Sequence, residues 1–127
     1  MMIVDEDRVA LSLMGIVLEK MGHAVLKSRD ADEALAFFEA NRPLELAIVA
    51  VRLQPMDGFQ LGRTMRINQP GLKILYISSS ISDAATLLSE KKIPPYGYFL
   101  HKPFLPKELL EMIGVMLLAG GGSLAKL

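Results

Sequence analysis

Leu46-Ala47-Ile48-Val49-Ala50-Val51, followed by Arg52-Leu53-Gln54-Pro55-Met56-Asp57-Gly58, is the stretch that decides the fold. Its first six residues are apolar without alternation, so both faces of an extended segment must be covered. A strand of that kind belongs inside a parallel sheet, with helices above and below it. The loop then reaches Asp57, an acid placed to cap a helix running to about Ile67. The unit is a buried strand, a loop and a helix.

The same unit recurs on either side. Met2-Ile3-Val4 predicts a short buried strand that runs into acids. From Asp7 or Arg8 to Met21, apolar residues at Val9, Leu13, Ile16 and Val17 have helical spacing, and Gly22 stops the helix. Ala24-Val25-Leu26 predicts a second strand. Asp30 to Ala40 predicts a helix with Ala31, Ala34, Leu35 and Phe38 on one face, ended by Asn41-Arg42-Pro43. Beyond the turn Gln69-Pro70-Gly71, Lys73 to Ile77 is a fourth strand. Ser82 or Asp83 then caps a fourth helix ending near Lys91, and Pro94-Pro95 forces an extended connection. Tyr98-Phe99-Leu100 is a fifth strand, and Pro106 opens a last helix to about Leu118. Five strand–helix units with right-handed crossovers predict an α/β fold, a flavodoxin-like doubly wound five-stranded parallel sheet in the order 2-1-3-4-5. Residues 1–119 form one domain on this reading, and residues 120–127, beginning Gly120-Gly121-Gly122-Ser123, are a flexible tail or the start of a linker.

Composition narrows the function. In 127 residues, 14 lysines and arginines balance 14 acids, so the net charge is zero. Such a chain has no electrostatic case for nucleic acid or for an anionic membrane, and little protection against self-association. The absence of cysteine excludes disulfides, thiolate metal sites and a thiol nucleophile. The two histidines, His23 and His101, are too few for a histidine-built metal centre. No apolar run approaches the roughly 20 residues of a membrane span. Acids arrive at Asp5, too early for a signal peptide, and the expected location is cytoplasmic.

In a doubly wound sheet the ligand site lies at the carboxyl ends of the strands. There the sequence puts Asp5, Glu6 and Asp7, then Ala50 and Val51, then Ser78, then His101, Lys102 and Pro103. Neighbouring carboxylates suit a hard cation such as Mg²⁺. A lysine and a hydroxyl at one point suit a phosphoryl group. Taken singly, each residue has a plainer reading: first-turn acids complementing a helix dipole, a turn serine, a solvated lysine, a surface histidine. Their joint placement at successive strand ends favours a small Mg²⁺ and phosphate pocket. A flavin or nucleotide enzyme on the same fold would carry glycines or hydroxyls in the first turn, where this chain carries acids.

Over residues 2–118 the chain resembles the receiver domain of two-component response regulators. Val4-Asp5-Glu6-Asp7, Met56-Asp57-Gly58, Ile77-Ser78 and His101-Lys102-Pro103-Phe104 carry the resemblance. It implies a phosphorelay signalling module, not an enzyme. The implied partner is a histidine kinase or an output protein, met on the surface of the fourth helix, fifth strand and fifth helix. It implies Mg²⁺ ligands at Asp5, Glu6 and the backbone carbonyl of Arg52, and phosphoryl contacts from Ser78 and Lys102. It also implies a cis bond between Lys102 and Pro103. Ser78 and Phe99 match the family's switch pair, and the Phe99 ring, without a phenol hydroxyl, is expected inward and buried.

One position departs from the family. Its phosphoacceptor is an aspartate seven residues before the aspartate of the Met-Asp-Gly turn, and that position is Ala50. A methyl group is no nucleophile and forms no acyl phosphate. It also removes a metal ligand, so Mg²⁺ binding is expected to be weakened. Val49 and Val51 offer no substitute, and Gln54 stands where the family usually has proline, with Pro55 one residue later. Two readings remain: a pseudo-receiver, or an ordinary Mg²⁺-dependent aspartyl-phosphate receiver carrying an engineered aspartate-to-alanine change at position 50. The last helix is more apolar than a core stripe requires. Leu110, Ile113 and Leu117 fit the stripe, which leaves Met112, Val115 and Met116 as an expected outer face for a homodimer or an output domain.

Overall fold

The computed structural model describes residues 1–80, 82–83, 85 and 97–120. Its strands are β1 (Met2–Val4), β2 (Leu26–Ser28), β3 (Leu46–Ala50), β4 (Lys73–Ser78) and β5 (Gly97–His101). Its helices are α1 (Arg8–Lys20), α2 (Ala31–Asn41), α3 (Gly58–Asn68) and a C-terminal helix, Pro106–Gly120. The strands form one sheet in the order β2-β1-β3-β4-β5, and every pairing is parallel. α1 and the C-terminal helix pack together on one side of the sheet, and α2 and α3 on the other. The expected fourth helix lies outside the described residues, apart from helical backbone at 82–83 and 85. The expected tail beyond Gly120 lies outside them as well.

The central strands explain the layering. All five residues of β3 are buried, as are all three of β1 and every residue of β4 except Lys73. Phe38 of α2, Leu61 and Met65 of α3, Leu18 of α1 and Ile113 of the C-terminal helix are likewise buried and cover the sheet. Each early helix starts on an acid. Asp7 accepts from the Val9 and Ala10 amides, Asp30 accepts from Glu33, and Asp57 forms a reciprocal capping box with Gln60. Gly58 and Gly62 bring α3 close to the sheet. A Cβ on Gly58 would stand 2.2 Å from the Ala50 carbonyl oxygen, and one on Gly62 2.1 Å from the Tyr76 hydroxyl.

Three expectations need correction. The second strand is Leu26–Ser28, not Ala24–Leu26, because Leu26 aligns with Met2 and Ser28 with Val4, while Ala24 meets the terminal amine. α1 buries Leu11, Met14, Gly15 and Leu18, and leaves Val9 67%, Leu13 59% and Ile16 49% exposed. That helix is apolar on most sides, so periodicity alone does not fix which face turns inward. The C-terminal helix has the same ambiguity. Its buried residues are Leu109, Ile113 and Met116, the last fully covered, so Met116 belongs to the core and not to an outer face. Met112 is half-buried against the core, Leu110 and Leu117 likewise, and Val115 is exposed.

Candidate functional site

The parallel register brings the carboxyl ends of β1, β3, β4 and β5 to one edge of the sheet. Val4 aligns with Val49, Ala50 with Ile77, and Ser78 with His101. Asp5 therefore leaves β1 beside the end of β3, where Ala50 is 3% exposed. Backbone bonds fasten the edge: Asp5 donates to Ser28, Val51 to Ile77, and Lys102 to Ser78. The Lys102–Pro103 bond is cis, as are Arg42–Pro43 and Gln54–Pro55. Gly58 donates to the Val51 carbonyl at 2.8 Å, which holds the Met-Asp-Gly turn against the end of β3.

Asp5 is the buried anion of the site, 2% exposed. One carboxylate oxygen takes the ammonium of Lys102 at 2.5 Å, and the other accepts the Asp7 amide at 3.0 Å. A carboxylate this deep is stable as an anion only because a cation and a donor meet it. On the β4 side, the Ser78 hydroxyl donates to Asp83 at 2.5 Å and accepts the Ser80 amide at 3.0 Å. The same Asp83 oxygen lies 3.5 Å from Nε of Arg52. His101 Nε2 is 3.1 Å from the Ser79 carbonyl. A cleft of about 550 Å³ opens beside Ala50's loop, with Glu6, Arg52, Gln54, Asp57 and Asp83 on its walls.

Asp5, Ser78 and Lys102 are thus brought to one edge around Ala50. Glu6 is exposed and turned to the cleft, and Phe99, expected inward and buried, is half-buried against the core. Arg52 enters the site through its side chain, in the pair with Asp83. Asp83 was legible only as a helix cap. Its spacing of five residues from Ser78 across an undetermined turn carries no signal by itself. Both Asp5 oxygens meet protein donors, and among the described residues no group of three histidine, cysteine or acidic side chains is placed to hold an ion.

The sequence matches the response regulator receiver domain family over residues 1–114. The chain belongs to that family. Among curated relatives of this receiver domain, the transcriptional regulatory protein GltR of Pseudomonas aeruginosa is 36% identical over 121 residues, covering 91% of this chain and 48% of the relative. The transcriptional regulatory protein GlrR of Escherichia coli K12 is 30% identical over 115 residues, covering 89% and 25%. The receiver domain spans less than half the length of these relatives. In structure it resembles a response regulator receiver domain protein of Methanospirillum hungatei, with a TM-score of 0.81 at 28% identity, covering 94% of this chain and 93% of the other. It also resembles the receiver domain of NtrX from Brucella abortus, with a TM-score of 0.79 at 27% identity, covering 91% and 96%. Among the described residues of this receiver domain, no helix is long and apolar enough to cross a membrane.

Proposed function

We propose that this receiver domain is a pseudo-receiver, a signalling module that acts through protein contact and is not phosphorylated at position 50. One observation carries the reading: a buried methyl group, Ala50, stands at the end of β3 between Asp5 and the Ser78–Lys102 edge. Phosphoryl transfer to a receiver needs a carboxylate oxygen as nucleophile, and a methyl group offers no lone pair. Receiver domains in general hold Mg²⁺ at the phosphorylation site. In this chain Asp5, Glu6 and the Arg52 carbonyl are the proposed counterparts of its ligands. Alanine at position 50 and the Lys102–Asp5 pair both weaken that site.

A contact role is supported by the apolar side chains that α1 leaves in solvent, Val9, Leu13 and Ile16. The partner class is a histidine kinase or an output protein, the second in keeping with relatives named as transcriptional regulators. On the fourth-helix, β5 and C-terminal-helix surface, Val115 is the exposed member of the expected apolar set, so a homodimer there would be broken by Val115→Glu with the fold intact. Sedimentation at high concentration checks this, and an unchanged monomer in both proteins removes the homodimer.

The retention of Asp5, Ser78 and Lys102 favours a second reading, in which an ordinary receiver carries alanine in place of its aspartate. Incubation with acetyl phosphate and Mg²⁺, followed by intact mass, separates the two. The wild type gains no phosphoryl group under the proposal. Ala50→Asp gains one if the rest of the pocket is that of an ordinary receiver, and gains none if the pocket has diverged. A phosphorylated wild type overturns the proposal.

A further inference from the structure

We infer that Asp83 is a built-in counter-anion that holds the receiver's phosphoryl-sensing hydroxyl in an engaged state with no phosphoryl group present. The inference rests on the pseudo-receiver reading, because it concerns what answers Ser78 when position 50 offers no acceptor. In a receiver the Ser78 hydroxyl is the group that meets a phosphoryl oxygen, and here it donates to a carboxylate oxygen of Asp83 at 2.5 Å. That oxygen is also 3.5 Å from Arg52 Nε, so it faces both a hydroxyl donor and a guanidinium, the kind of set that receives a phosphate oxygen. The Asp83 side chain is 14% exposed, which shields its contact with Ser78 from competing water.

The contact reaches along the chain. With its proton directed to Asp83, Ser78 Oγ turns a lone pair to the Ser80 amide at 3.0 Å. Asp83 in turn donates its backbone amide to the Ser80 carbonyl at 3.1 Å. Ser78, Ser80 and Asp83 therefore close a ring that ties the end of β4 to the first residues after it. Arg52 adds a tether from the loop after β3. The first residues after β4 are thus tied by one of the chain's own side chains. Asp83 is a positioning residue in this arrangement: it reacts with nothing and fixes the Ser78 rotor.

Amide hydrogen exchange and Arg side-chain NMR on wild type, Asp83→Ala and Asp83→Asn test the inference. In Asp83→Ala, the Ser80 amide exchanges at least about tenfold faster, because the Ser78 hydroxyl that accepts it is no longer held by Asp83. The Arg52 Nε–H resonance shifts as its ion pair is lost, and the Ile48 amide in the centre of the sheet keeps its rate. Asp83→Asn retains an acceptor for Ser78 and loses the charge, so the Ser80 rate falls between the other two while Arg52 is released. Equal rates at Ser80 in all three proteins overturn the inference, and so does an equal acceleration at Ser80 and Ile48, which marks general destabilisation. These readouts need no phosphodonor. A wild type that accepts phosphate from acetyl phosphate overturns the pseudo-receiver reading whatever the exchange rates are.

Discussion

The two sides of the pocket are answered differently. On the β1–β5 side, Asp5 is 2% exposed and its partner Lys102 is a quarter exposed or less, with the pair locked between strand ends. On the β4 side, the Arg52 side chain is 68% exposed, and its partner Asp83 comes from the helical backbone that follows β4. The first pair is structural, because each charge would be stranded without the other. The second is conformational, because water replaces what Arg52 loses. One pocket thus holds a fixed half and a half whose cation is open to water.

Substitutions that break each half should rank accordingly. The largest effect falls on the seam beneath both. Gly58→Ala puts a methyl group against the Ala50 carbonyl and should cost about 4 kcal/mol, read from urea unfolding. Lys102→Met, which keeps the length of the side chain and removes its charge, should cost about 3 kcal/mol by leaving Asp5 buried and unpaired. The double variant Asp5→Asn with Lys102→Met should recover part of that loss, a coupling that a double-mutant cycle measures directly. If Lys102→Met unfolds at the wild-type urea concentration, the fixed half is not fixed. Arg52→Gln should lie within about 0.5 kcal/mol of wild type in the same assay, because its pair is exposed. A cost as large as that of Lys102→Met would erase the contrast. The smallest effect belongs to Leu13→Glu on the open face of α1, again within about 0.5 kcal/mol, and loss of partner binding without loss of stability would give that face its role.

How much of this was legible in the sequence follows from the same physics. The sheet order and the residues at its edge could be read because unbroken apolar runs such as Leu46–Ala50 permit few arrangements. Asp5, Ser78, Lys102 and Ala50 were found by position, since strand ends are fixed by topology. The inward faces of α1 and the C-terminal helix were misread because both helices are apolar nearly all round. What turned Met116 inward and Leu13 outward was the rotation set at the helix starts, and composition does not record it. Asp83 escaped notice for a related reason. A capping acid and a counter-anion are the same residue type at the same place, and only the direction of the Ser78 hydroxyl and the reach of Arg52 separate them.

The claim beneath these points is that the pocket satisfies its own charges and does so without a carboxylate at position 50. Titration of the wild type and of Ala50→Asp with Mg²⁺, followed through the backbone amide shifts of residues 5, 6, 50 and 52, tests it most directly. The account predicts saturable shifts in Ala50→Asp and none in the wild type at the concentrations that saturate the variant. Saturation of the wild type at those same concentrations would contradict it, because Asp5 would then be giving up Lys102 to a metal that has no third carboxylate to hold it.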